Sequence, residues 1–305
     1  MNEHNIEIDL FDCGFHKNLE SFLVYFGQTN DLNKCIVYSS WFNIPSLCEY
    51  FISHGANVNE KNEYGQTALH YAARNNSKET AEVLLSHGAN VNEKDEIGKT
   101  ALHRAAINNS KETAEVLLSH GANVNEKDKY GKTALDCAAE FNSKETAEVL
   151  LSHGANVNEK DEIGKTALHR AAINNSKETA EVLLSHGANV NEKDKYGKTA
   201  LDCAAEFNSK ETAEVLLSHG ANVNEKDEIG KTALHRAAIN NSKETAEVLL
   251  SHGANVNEKD KYGETALDCA AEFNSKETAE VLLSHGANVN EEDEDGEWDE
   301  EDEYE

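Results

Sequence analysis

Basic side chains are scarce in this sequence: 28 lysines and arginines stand against 57 aspartates and glutamates in 305 residues, a formal charge of −29. Such a chain is not expected to make broad contact with nucleic-acid phosphates or anionic lipid. Long apolar runs are missing too. The longest, Phe22 to Phe26, has five residues, far below the roughly 20 of a membrane helix. Glu3, Glu7 and Asp9 stand where a secretory leader would carry basic residues and then an apolar core, so none is expected. Six cysteines in a chain of this length predict free thiols in a reducing compartment, not a disulfide framework. With apolar residues at 38% and charged residues at 28%, the composition predicts a folded, soluble, acidic and cytoplasmic protein.

Repetition dominates what is present. The string H-G-A-N-V-N-E recurs every 33 residues, with its glycine at Gly55, Gly88, Gly121, Gly154, Gly187, Gly220, Gly253 and Gly286. Seven contiguous units follow: 62–94, 95–127, 128–160, 161–193, 194–226, 227–259 and 260–292. A second period of 66 residues lies on the first. Units opening D-E-I-G at Asp95, Asp161 and Asp227 are identical, and those opening D-K-Y-G at Asp128, Asp194 and Asp260 nearly so; Glu264 and Glu292 replace lysines in the last.

One unit contains the signals of a turn and two helices. Asp95 and Gly98 fit the first and last positions of a type I turn. Thr100 is placed to cap a helix whose small apolar face is Ala101, Leu102, Ala105 and Ala106. Asn109 falls where the chain reverses, and asparagine tolerates a left-handed backbone. Ser110 is placed to cap a second helix, with Glu112 near its positive end. Ala114, Val116, Leu117 and Leu118 give that helix its apolar side, and Gly121 reads as its C-terminal cap. Helices shorter than about 12 residues are not stable alone in water, so stability must come from stacking neighbour on neighbour.

The unit D-x-x-G-x-T-A-L-H-x-A-A, followed by V-L-L-x-x-G-A-N-V-N, resembles the ankyrin repeat across residues 62–292. The resemblance implies an all-α solenoid of helix-turn-helix units with β-turn fingers, acting as a non-catalytic protein-binding scaffold. It also implies that His70, His103, His169 and His235 hydrogen-bond the neighbouring finger. Three departures stand out. The family's T-P-L-H lacks its proline throughout, Asp136, Asp202 and Asp268 replace the histidine, and Asn109 and its equivalents replace a glycine.

The ends differ from the middle. Residues 29–61 align with the unit without gaps, with Ser39 and Ser40 at the places of Ala72 and Ala73, and read as a degenerate capping repeat. Residues 1–28 read as a helical leader, with Leu19, Phe22, Leu23 and Phe26 at helical spacing and Gly27 ending the helix. This segment resembles the one preceding ankyrin arrays in large families of parasitic protists. Closing the solenoid's first face is its expected role; self-association through residues 1–61 is the alternative, because ten of the twenty aromatic residues lie there. Residues 293–305 are expected to be a solvated acidic tail. An acidic partner-binding motif using Trp298 and Tyr304 is the second reading of that tail, and a calcium loop the weakest.

Chemistry is only apparent in this chain. Five copies of G-K-T lack the glycine of a phosphate loop, since Glu93 occupies that place in the first, and the lysine reads as an exposed fingertip residue. The fourteen histidines are spread one or two to a unit, too far apart to converge on one metal ion. No H-E-x-x-H or paired C-x-x-C occurs. Glu112 and Glu115 recur in every unit and mark a solvated face, whereas catalysis needs one concave place. No enzyme and no cofactor are expected.

In the ankyrin family, partners dock on the concave face formed by fingertips and the end of the first helix. Carried onto this sequence, those positions are Tyr64, Ile97, Ile107, Tyr130, Lys132, Phe141, Ile163, Tyr196, Phe207, Ile229, Tyr262 and Phe273. Aromatic rings bordered by charge fit an interface; packing of the rings on the next finger is the alternative. Fingertip strings alternate in net charge, so an unidentified protein partner is expected and nucleic acid is not.

Overall fold

The computed structural model describes residues 8–289. The acidic tail 293–305, with its calcium-like loop, and His4 lie outside the described residues. Eighteen α-helices and one 3-10 turn follow one another, and no strand occurs among the described residues.

Each 33-residue unit folds as the pattern predicts. In the unit opening at Asp95, the turn closes with Gly98 N–H donating to Asp95 O at 3.0 Å. Helix α7 (Ala101–Ile107) buries Ala101, Leu102, His103, Ala105 and Ala106. Helix α8 (Lys111–Ser119) returns, burying Thr113, Ala114, Val116 and Leu117. Gly121 adopts φ 87° and Ala122 N–H donates to Leu117 O at 3.0 Å, the left-handed helix ending that glycine permits. Gly98 answers to a different constraint: a Cβ there would lie 2.8 Å from Lys129 N in the next finger. The small Ala faces let first helices pack on first helices, so α7 contacts both α5 (Ala68–Arg74) and α9 (Ala134–Glu140). Second helices stack likewise, α8 on α6 (Lys78–Ser86) and on α10 (Lys144–Ser152). One buried cluster runs from Leu10 to Leu282.

Capping departs from expectation at the second helix. Ser110 occupies the N-cap position of α8 but its side chain makes no cap bond. Asn76 of the preceding unit does this instead, its Oδ1 accepting from Thr113 N at 3.1 Å and Thr113 Oγ1 at 3.3 Å. Asn76 stands at φ 52°, which aims its side chain across the stack. The same asparagine therefore tolerates the reversal and ties one unit to the next, a role glycine could not fill.

The N-terminal region contains more helix than expected. Helix α1 (Leu10–Phe15) precedes α2 (Leu19–Thr29), so residues 10–29 form a pair, not a single helix. Gly27 does not end α2; the helix runs on to Thr29 and stops at left-handed Asn30. No packing demand falls on Gly27, whose Cβ position is open. Gly14 is the constrained one, since a Cβ there would come 2.6 Å from the Trp41 ring. Helix α3 (Leu32–Ser39), a 3-10 turn (Ser40–Phe42) and α4 (Pro45–Ser53) then stack on α5 and α6. Aromatic rings fill this end: Phe22 packs on Phe42 and Phe51, and Trp41 on Phe11 and Tyr71.

Candidate protein-binding face

The fingers bring buried charge together in an alternating way. In D-E-I-G units the finger aspartate is paired within its own unit: Arg104 donates to Asp95, Arg170 to Asp161 and Arg236 to Asp227. In D-K-Y-G units cysteine takes the arginine's place, and the finger aspartate is paired by the preceding unit. Lys99 Nζ reaches Asp128 at 2.5 Å and lies 3.5 Å from Cys137 Sγ; Lys165 and Lys231 repeat the arrangement at Asp194 and Asp260. The G-K-T lysine is therefore not the exposed fingertip residue its sequence suggested. Only 12% of the Lys99 side chain is exposed, because the smaller cysteine leaves room for it. Burial pushes the Cys137 thiol up to about 11, so it stays protonated and is a poor nucleophile.

Histidine and aspartate alternate in the same register. His103 Nδ1 accepts from Thr100 N at 3.2 Å, which leaves Nε2 carrying the proton donated to Lys132 O at 3.1 Å. His70, His169 and His235 reach the next finger in the same way, at Lys99 O, Lys198 O and Glu264 O. Burial lowers the His103 and His169 rings to about 4 and keeps them neutral. Asp136 accepts from Thr133 N at 2.7 Å and Thr133 Oγ1 at 2.8 Å but reaches no finger. Burial raises it to about 6, with Asp161 pushing the same way and Arg170 opposing.

Two kinds of junction result. Within a D-E-I-G/D-K-Y-G pair, the units share the histidine bond, the lysine–aspartate pair and a fingertip bond, Lys129 N to Ile97 O at 3.1 Å. Between pairs the first two are absent. The fingertip bond there is missing at Tyr130–Glu162 and stretched to 3.4 Å at Tyr196–Glu228. Residues 95–160, 161–226 and 227–289 thus form three pairs whose fingers share more hydrogen bonds and ion pairs inside a pair than between pairs.

On the outer surface of these fingers lie most of the residues the sequence nominated. Tyr64, Tyr130, Tyr196 and Tyr262 are exposed, as are Phe141, Phe207, Phe273 and the smaller Ile97, Ile163 and Ile229. Tyr130, at 59%, does not bury its ring on the following finger. Two nominated residues are less available. Ile107 is half-buried against the core, and Lys132 is engaged by Glu140 at 2.8 Å with 18% of its side chain exposed. The arginine–aspartate and lysine–aspartate partnerships beneath the fingers lie 9 and 29 residues apart in sequence, and only the 66-residue alternation of R with C hinted at them.

A non-periodic cleft of about 840 Å³ lies at the N-terminal end. It opens because Asn30 and Asp31 alone join α2 to α3, with no finger to fill the space beside Lys61, Asn62 and Glu63. Tyr25, Lys34 and Tyr38 also line it, and neither histidine nor cysteine does. Among the described residues no group of three or more His, Cys, Asp or Glu side chains is placed to hold a metal, and no helix is long and apolar enough to cross a membrane.

Stacked short helix pairs with projecting turns define a helical solenoid repeat protein. Its sequence matches the family model for ankyrin repeats (3 copies) at residues 16–95, 92–161, 159–227 and 224–293. The chain belongs to the ankyrin-repeat family, whose members generally mediate protein–protein interaction and are typically not catalysts. No curated protein matches the chain.

Proposed function

We propose that the protein is a non-catalytic scaffold that binds a protein partner on its concave face of fingers and first-helix ends. The observation that supports this reading most is the row of exposed rings, Tyr130, Phe141, Tyr196, Phe207, Tyr262 and Phe273, above charges already paired within the stack. Rings held at fixed spacing by a rigid lattice lose little entropy on binding. Three near-identical pair surfaces favour a repetitive or oligomeric partner through avidity. In this reading residues 1–28 and 29–61 close the first face, residues 62–292 present the binding face, and the protein works in the cytoplasm.

Capture of a partner by the full chain, with Tyr130, Tyr196 and Tyr262 replaced by Ala as control, tests it. Loss of the partner with unchanged circular dichroism is expected; equal retention overturns the assignment of the face. The exposed Phe15, Leu23, Val24 and Tyr50 favour a second reading, self-association through residues 1–61. Light scattering before and after deletion of residues 1–28 separates the two, because a monomer in both cases ends the assembly reading.

A further inference from the structure

Beside each apolar fingertip side chain stands one charged residue. Glu96, Lys129, Glu162, Lys195, Glu228 and Lys261 are all exposed, and none makes an ion pair among the described residues. Lys261 donates to the Glu228 carbonyl, which leaves its charge uncompensated by a carboxylate. The partnered cations beneath them, Lys99, Lys165 and Lys231, are occupied. Six consecutive fingers therefore present free charge in the order minus, plus, minus, plus, minus, plus.

An alternating row with an even number of members is complementary to itself when reversed. We propose that this row is an isologous interface on which a second copy of the chain docks antiparallel, its two-fold axis passing between Glu162 and Lys195. Every charge then meets its opposite: Glu96 faces the other copy's Lys261, Lys129 its Glu228, and Glu162 its Lys195. The neighbouring apolar residues are matched in the same operation. Each isoleucine meets a tyrosine, Ile97 on Tyr262, Tyr130 on Ile229 and Ile163 on Tyr196, so bulk opposes slimness along the whole line. A closed parallel pair sets each charge on its own kind, and an antiparallel pair slipped by one finger does the same. Glu63 lies outside the matched six, and including it forces Glu96 onto Glu228. The row is locally neutral, so the chain's overall negative charge acts on it only at a distance, where salt of about 0.15 M screens it beyond roughly 8 Å.

This interface does not involve residues 1–61, and it shares the fingertip tyrosines and isoleucines with the partner reading, so a second copy and a partner would compete for them. Two full-chain variants of equal net charge test it by sedimentation velocity at about 0.15 M salt. E162K/K195E exchanges two charges that face each other across the axis and should dimerise as the unmodified chain does. E162K/K129E sets like charge on like at both altered fingers, a new lysine against Lys195 and a new glutamate against Glu228. It should weaken the dimer at least about tenfold with unchanged circular dichroism. A monomeric unmodified chain at about 100 µM, a concentration at which even weak association registers, overturns the proposal. So does equal dimerisation of both variants, which places any association on another surface.

Discussion

Replacing Asp136 and Asp202 by Asn should stabilise the protein at neutral pH, although both aspartates sit in capping boxes. Each carboxylate is 1% exposed and raised by burial to about 6 from an ordinary 3.8. The difference of about two pH units corresponds to about 3 kcal/mol per site while the group is charged. Asn retains an oxygen for Thr133 N but loses the favourable charge in the first helical turn, worth about 0.3–1 kcal/mol. Desolvation therefore outweighs the cap, and a net gain of about 2 kcal/mol per site is expected. The sign follows from proton uptake. An acid raised in the folded state binds its proton first there, so its destabilisation is full above pH about 6, shrinks as pH falls, and is gone below the unfolded value. Guanidinium unfolding of both proteins at about pH 7.5 and about pH 4.5 measures it: the Asn variant should lead at the higher pH, with most of the lead lost at the lower. A variant less stable at pH 7.5, or a lead that does not change with pH, would refute the claim that burial dominates these carboxylates.

The buried histidines should act in the opposite sense. Rings lowered to about 4, as His103 and His169 are, contribute stability that is full above pH about 6.5 and is lost as pH falls towards 4, about 2 kcal/mol per ring by pH 5. Unfolding midpoints between pH 7.5 and pH 5 should accordingly fall in the unmodified chain and fall less in a His103→Gln, His169→Gln variant. Replacing Lys99 by Met should cost about 3 kcal/mol by stranding the buried Asp128 carboxylate, read by chemical denaturation; no loss would mean that the Tyr130 and Lys132 amides alone satisfy it. Asn109→Gly keeps a backbone tolerant of φ 51° but removes the cap on Thr146, so a loss of about 1 kcal/mol is expected. Hydrogen exchange should also be faster at the seam between Tyr130 and Glu162 than between Ile97 and Lys129, where the fingertip bond is intact.

Much of this architecture was legible without coordinates. A 33-residue period, a capped apolar face on each short helix, Asn where the chain reverses and Gly after the second helix are local signals. Local signals suffice for a fold whose contacts are mostly between neighbouring units. The exposure of Tyr130 and Phe141 follows from the ankyrin resemblance, which puts the first at a fingertip and the second at the end of a first helix. The leader is less legible: α1 is too short to show periodicity, and Gly27 resembles a helix stop although an exposed helical glycine only costs stability.

Side-chain partnership required the tertiary structure. Ser110 looks like a cap in sequence, but Asn76, from the unit before, performs the capping; Lys99 looks like a solvated fingertip, yet it fills the space left where cysteine replaces arginine in the next unit. A chain read one residue at a time reveals propensity and spacing within a helix. Which of two nearby donors reaches a given oxygen depends on the rotation and distance between stacked units, set by the packing of Ala faces on one another. The sequence alone thus determined what each unit is, and only the packed stack decided how one unit completes the next.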